Sequence, residues 1–204
     1  ISKITKENFK GLRKLEEINL CLNKIEEIEE NSFIDQTELK ELHLSSNKIK
    51  KLDENLFKNL FKNLRKLELL DLSVNQLTSL PSNIFANLVE LKWIYLDGNQ
   101  LTSLPPNIFA NLVELNGIDL IYNKLTSLTE QHFRNNKKLE SIWLWDNKIN
   151  SLDVKMFDGM QNLQYVNLGR NECINKVYGG WHVEKGFLRD INQFKSDVAA
   201  NCTN

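Results

Sequence analysis

The stretch Leu91-Lys92-Trp93-Ile94-Tyr95-Leu96-Asp97-Gly98-Asn99-Gln100-Leu101 decides the fold, because its spacing Leu-x-x-Leu-x-Leu-x-x-Asn-x-Leu, with aliphatic substitutions, recurs along the whole chain. Seven such segments open at Leu15, Leu39, Leu67, Leu91, Leu115, Leu139 and Leu163, and the last breaks off after its asparagine. The step is 24 residues everywhere except between Leu39 and Leu67, where it is 28. A 24-residue coil cannot bury its own apolar edge, so stacking has to supply the core. The expectation is one continuous α/β repeat solenoid: a concave parallel β-sheet, an irregular or 3-10 convex side and a helical C-terminal cap.

Two further columns carry the same period. Asn23, Asn47, Asn75, Asn99, Asn123, Asn147 and Asn171 stand nine places into each segment, where the strand ends and the chain turns inward. Backbone groups lose their ladder partners there, and an asparagine amide can serve its own turn and the neighbouring coil. Phe9, Phe33, Phe85, Phe109, Phe133 and Phe157 fill the wider convex side, where a large apolar group is needed to close the core. The surplus in the long step is a tandem Leu-Phe-Lys-Asn, Leu56 to Asn59 and Leu60 to Asn63. Either Phe57 or Phe61 can take the phenylalanine place, the other four residues adding about one helical turn; we read the surplus as a length variation without functional consequence.

Composition narrows the function. The formal charge is −1 and no block of one sign is long enough for a polyanion stripe, so nucleic acid is not an expected partner. No apolar run approaches membrane-spanning length, so no membrane insertion of this chain is expected. The eight glycines are dispersed and make no phosphate loop. His43, His132 and His182 lie far apart, with only His43 on the concave sheet, so neither a metal cluster nor a Ser/His/Asp arrangement is expected from neighbours on one strand. The reading is of no enzyme, no cofactor and no metal. The acidic column of Asp71 and Asp119 could hold a cation weakly, but the preferred reading is a solvated face or carboxylates that meet basic groups of a partner.

The third and fifth places of each segment point out of the concave sheet, with the seventh and eighth beside them, because side chains alternate along a strand. Read coil by coil, the early surface is small and polar: Glu17, Asn19, Cys21 and Leu22, then Glu41, His43, Ser45 and Ser46. It changes through Leu69, Asp71, Ser73 and Val74 to Trp93, Tyr95, Asp97 and Gly98, then Gly117, Asp119, Ile121 and Tyr122. Ser141, Trp143, Trp145 and Asp146 follow, then Tyr165, Asn167, Gly169 and Arg170. Three of the four tryptophans and three of the four tyrosines therefore fall on four successive strands, a patch about 15 Å across at a strand spacing of about 4.8 Å. Rings that each bury about 150–250 Å², interleaved with carboxylates, describe a ligand-binding surface. The candidate residues are Leu69, Asp71, Trp93, Tyr95, Asp97, Asp119, Ile121, Tyr122, Trp143, Trp145, Asp146, Tyr165 and Asn167. The alternative is that the rings lie flat on their neighbours and cover the sheet, or mediate a homodimer.

With these columns in place the chain resembles an extracellular leucine-rich repeat protein of the 24-residue class, the kind found in Toll-type receptor ectodomains and secreted invertebrate immune proteins. The phrase Leu-Thr-Ser-Leu-Pro at Leu77 to Pro81 and Leu101 to Pro105 is also similar to the variable lymphocyte receptors of jawless fish. The resemblance implies the horseshoe form of the solenoid and a role in innate immune recognition; for ligand it says little, and it is the aromatic anchors edged by carboxylates on a broad curved sheet that point first to a protein, with a glycan as the second class. A structural or adhesive protein that self-associates through the concave face, or a soluble inhibitor or carrier, are the competing readings.

The ends are read on that basis. Residues 1–14 are a partial first coil in which Ile1, Ile4, Phe9 and Leu12 look like the back half of a coil without its strand; the natural protein continues upstream, or the first coil is an abbreviated cap. The chain opens without methionine or a targeting signal, as a mature or trimmed form would. Residues 15–172 are the repeats and 173–204 the cap. Trp181, Phe187, Leu188, Ile191, Phe194 and Val198 lie between Cys173 and Cys202, and the stretch reads as a helical cap closed by one disulfide. Closing a loop of about thirty residues contributes about 3–4 kcal/mol. The opening Asn171-Glu172-Cys173-Ile174 is similar to insect caps. Asn201-Cys202-Thr203 matches a glycosylation sequon, in keeping with a secreted glycoprotein. Cys21 is the odd cysteine, read as a half-exposed thiol without a role or as one half of an intermolecular or upstream disulfide.

Overall fold

The computed structural model describes residues 1–50, 60–179 and 191–202. Each coil contributes a strand of three residues to one sheet: β2 (Glu17–Asn19), β4 (Glu41–His43), β5 (Leu69–Asp71), β6 (Trp93–Tyr95), β7 (Gly117–Asp119), β9 (Ser141–Trp143) and β11 (Tyr165–Asn167). These pair in parallel, each with the next, and β12 (Val177–Gly179) closes the far edge antiparallel to β11. The middle residues Ile18, Leu42, Leu70, Ile94, Ile118, Ile142 and Val166 are partners in register and all buried. Their neighbours on either side point away from the core, as alternation requires. The protein is an α/β solenoid of the leucine-rich repeat form.

The other elements of the coils are short. β1 (Lys3–Ile4) pairs with β3 (Glu27–Ile28), and β8 (Ser127–Leu128) with β10 (Ser151–Leu152). A single α-turn, α1 (Glu130–Phe133), and a 3-10 turn at Val154–Phe157 are the convex helices described among the coils. In the first coil Ile4 is buried and Phe9 packs on Phe33 at 5.7 Å, while Ile1 and Leu12 are exposed.

The asparagine column works as the residue type requires. Asn99 accepts from the Leu77 amide at 3.0 Å and donates to Leu72 O of the previous coil and Leu96 O of its own, both at 3.0 Å. Asn47, Asn75, Asn123, Asn147 and Asn171 repeat the pattern. One amide thus saturates three backbone groups that the end of the strand leaves without partners. The residue before it turns the chain inward with a positive φ, at Leu22, Ser46, Val74, Gly98, Tyr122, Asp146 and Arg170. Only Gly98 reaches that region without a Cβ penalty.

Behind the sheet, Phe61, Phe85, Phe109 and Phe133 stack in turn with centroids 6.5, 6.1 and 5.4 Å apart. Phe61, buried, takes the column place in the long coil, while Phe57 lies outside the described residues. The four extra residues leave the register of β4 and β5 intact. In the cap, α2 (Ile191–Cys202) buries Phe194, Val198 and Cys202 at helical spacing. Phe194 meets Phe157 and Tyr178 edge-on, each at 4.7 Å, so the helix extends the phenylalanine column past the last coil. A disulfide joins Cys173 to Cys202; Trp181, Phe187 and Leu188 lie outside the described residues.

Asn99→Ala is expected to lose about 3 kcal/mol in urea unfolding, since it strands buried backbone groups that each cost about 1–3 kcal/mol. Asn23→Ala, at a half-exposed place where water can substitute, is expected to lose about 1 kcal/mol or less. Equal losses at the two positions would show that the amide column does not hold the coils together.

Candidate functional site

The outward residues of the sheet form two columns set by the register. One runs Glu17, Glu41, Leu69, Trp93, Gly117, Ser141, Tyr165, and the other Asn19, His43, Asp71, Tyr95, Asp119, Trp143, Asn167. The structure therefore brings Leu69, Asp71, Trp93, Tyr95, Asp119, Trp143, Tyr165 and Asn167 onto one face. Asp97, Ile121, Tyr122, Trp145 and Asp146 follow at the ends of their strands.

The rings touch one another, which the spacing could not show. Gly117 is the reason. A Cβ there would sit 2.1 Å from Cζ3 of Trp93, so the missing side chain is the space into which the Trp93 ring lies. Across that gap Trp93 and Trp143 approach to 6.4 Å between centroids, and Trp143 meets Tyr165 at 5.8 Å. The Tyr165 hydroxyl accepts from Asn167 Nδ2 at 3.1 Å. A second group forms beside it. Tyr122 stands edge-on to Trp145 at 4.8 Å, Arg170 lies over Trp145 at 4.6 Å, and Arg170 Nη1 pairs with Asp146 Oδ2 at 3.1 Å. Trp145 leans over Gly169 as Trp93 leans over Gly117.

Exposure divides the candidates. Trp93, Trp143 and Trp145 are half-buried, as are Leu69 and Ile121, whereas Tyr165 keeps only 8% of its surface and Tyr122 keeps 53%. The rings pack on one another tilted or edge-on, at 42° for Trp93 and Trp143, 48° for Trp143 and Tyr165 and 83° for Tyr122 and Trp145, so they are not laid flat in a stack.

Acidic groups border the rings. Burial pushes the Asp119 carboxyl up to about 7, against the hydrogen bond it accepts from the Ile121 amide and with help from Asp97. Asp97 is raised by burial and by Asp71. Tyr95 is raised by burial and by Asp119, Asp71 and Asp97.

A cluster at the polar end was not expected from the sequence. Cys21, His43 and Asp71 come from three successive coils, and their ligand atoms all lie within 4.8 Å of one another. His43 and Asp71 share one outward column, and Cys21 lies two places past Asn19, the member of that column on β2, so no single strand carries the set. His132 is structural: buried, it accepts from the Thr129 amide at 2.9 Å and closes a capping box at the start of α1. His182 lies outside the described residues. Asn201 is exposed in the last turn of α2, its Nδ2 donating to Asp197 O at 2.7 Å, and Thr203 of the sequon is outside the described residues.

Two family models match the chain. One described as a BspA-type leucine-rich repeat region covers residues 58–177 in six copies, and one described as a leucine-rich repeat covers residues 1–49. No curated protein matches. Among solved structures, a leucine-rich repeat protein of Leptospira interrogans aligns with 28% identity and a TM-score of 0.71 over 83% of this chain and 41% of its own. Toll of Drosophila, solved in complex with Spatzle in a glycosylated form, aligns with 24% identity and a TM-score of 0.71 over 84% of this chain and 26% of its own. The chain spans less than half the length of either protein.

Asp119 supplies the pH dependence of the site. Its carboxyl keeps a proton in the folded state to about pH 7, while an unfolded aspartate releases it near pH 4. Folding then binds a proton between those values, so this group's contribution to stability falls as pH rises from about 4 to about 7 and stays low above. Asp119→Asn, which keeps an acceptor for the Ile121 amide, is expected to raise the melting temperature at pH 8 and to leave it nearly unchanged at pH 4. A shift of equal size at both pH values would contradict the buried, protonated carboxyl.

Proposed function

Since this chain belongs to the leucine-rich repeat family, we propose that it is an extracellular recognition module, not an enzyme, that binds a protein ligand across the ring cluster on the concave sheet from Leu69 to Tyr165. The observation that carries this reading is the mutual packing of Trp93, Trp143 and Tyr165, with Tyr122, Trp145 and Arg170 beside them. Three half-buried tryptophans with an exposed tyrosine and an exposed arginine beside them, on a rigid sheet, are the residue types in which binding energy concentrates. Asp71, Asp97 and Asp146 supply polar edges, and the same rings with Asp and Asn groups would serve a glycan as the second ligand class.

The disulfide of the cap supports a secreted setting, where such bonds persist, and N-glycosylation at Asn201 belongs to the same reading. Among the described residues no helix is long and apolar enough to cross a membrane. The Toll–Spatzle complex is a molecular hub in Drosophila development and innate immunity; an immune role for this chain rests on shared fold. Self-association is the second reading, favoured by Leu22, Val74 and Tyr122, exposed apolar groups that all occupy the eighth place of their coils and so line one edge of the sheet.

Binding to extracellular protein and glycan arrays, by the wild-type chain and by a Trp93→Ala, Trp143→Ala, Trp145→Ala variant of equal melting temperature, tests the proposal. Truncating a binding hot spot costs about 2 kcal/mol or more, so a wild-type hit is expected to weaken at least thirtyfold. A hit unchanged in the variant, or a wild-type chain that binds nothing and doubles its mass with concentration, would overturn it.

A further inference from the structure

We propose that Cys21, His43 and Asp71 form a binding site for a thiophilic divalent cation, zinc foremost, at the polar end of the concave sheet. The three groups are 22 and 28 residues apart in sequence and are brought together by stacking alone. His43 and Asp71 are register partners of β4 and β5, and Cys21 stands two places past Asn19, the partner of His43 on β2. Main-chain bonds fix all three backbones: Leu20 N donates to His43 O, Leu44 N to Asp71 O, and Leu22 N to Ser45 O. The donor atoms all lie within 4.8 Å of one another and each residue is half-buried.

Tetrahedral zinc at bond lengths of about 2.0–2.3 Å sets its ligands roughly 3.3–3.8 Å apart, so small side-chain rotations close the cluster without moving the sheet. The donor set suits the ion in charge as well. A thiolate and a carboxylate neutralise two positive charges, and the imidazole binds as the neutral ring. The thiol gives up its proton to solvent when the sulfur–metal bond forms, so binding strengthens as pH rises. The surroundings match a metal site too. Glu41 Oε2 lies 3.1 Å from His43 Nε2, so that with the ion on Nδ1 this carboxylate would orient the ring, and Ser45 Oγ lies 2.9 Å from Cys21 Sγ. The backbone amide of Ser73 donates to Oδ1 of Asp71 at 2.9 Å, which fixes that carboxylate while leaving Oδ2 out of this bond. Three protein ligands leave a fourth position for water, or for a donor on a molecule bound to the same face.

Cobalt(II) is the probe, because thiolate ligation gives it a charge-transfer absorption, and Cys21 is the one cysteine outside the disulfide. Titrating the full chain, with its disulfide intact and under anaerobic conditions, is expected to develop that absorption at one equivalent of cobalt and to lose it to one equivalent of zinc. Zinc is also expected to raise the melting temperature. Cys21→Ser should abolish the absorption, and His43→Ala and Asp71→Asn should each weaken binding at least tenfold while melting like wild type without metal. Absence of the absorption in the folded wild type overturns the proposal. So does an absorption whose affinity neither His43→Ala nor Asp71→Asn changes, which would place the metal on Cys21 alone or between two chains. Weakening by Glu17→Gln but not by Asp71→Asn would move the ion to the neighbouring group of Glu17, Glu41 and His43 and overturn the assignment made here.

Discussion

The hydrogen bonds of one asparagine per coil are the constraint on which the rest depends. A strand of three residues is too short to hold a sheet by its own ladder, and the turn that follows leaves buried amides and carbonyls without partners. Asn47, Asn75, Asn99, Asn123 and Asn147 are buried and reach back to the coil before, so each fixes the register of two coils at once. The leucines then have one place to go, and the phenylalanines stack behind them.

Register turns residues far apart in sequence into neighbours on a surface. Position five of one coil faces position five of the next, whatever the loops between them do, and this lets a sheet of short strands carry two kinds of chemistry. Toward the C-terminal coils it holds rings that pack on glycines and on each other. Toward the N-terminal coils it holds a thiol, an imidazole and carboxylates. The two ends meet at Asp71, which belongs to the cluster with Cys21 and His43 and also acts on Asp97 and Tyr95.

Fold and facing were legible in the sequence because they rest on periodicity, and periodicity needs no coordinates. The leucine and asparagine columns gave the strands and their direction, and the phenylalanine column gave the back wall. Contacts between side chains on the sheet were not legible, since they depend on rotamers and on the small residues between them. Gly117 reads as a gap in a column until Trp93 is seen lying in it. Raised protonation of Asp119 needs burial, which an outward motif place does not disclose. Gln36 and Asn136 stand where other coils have leucine, and they stay buried by donating to Phe9 and Leu12 carbonyls and to Phe109 and Leu112 carbonyls. The Cys21 cluster was hidden for another reason: its members are of three types on three coils, and only the stacking of those coils brings them together.

Native-state hydrogen exchange of the six amides of Ile25, Ile49, Leu77, Leu101, Leu125 and Ile149 tests this account most directly, because each donates to the asparagine of the following coil. If stacked amides make the sheet one rigid platform, the four interior ones, Ile49 through Leu125, exchange only through global unfolding and share a single free energy of opening. Faster, unequal exchange at Ile49 or Leu77, beside the long step, would mean that the coils open independently. The concave face could not then be the preformed surface described above.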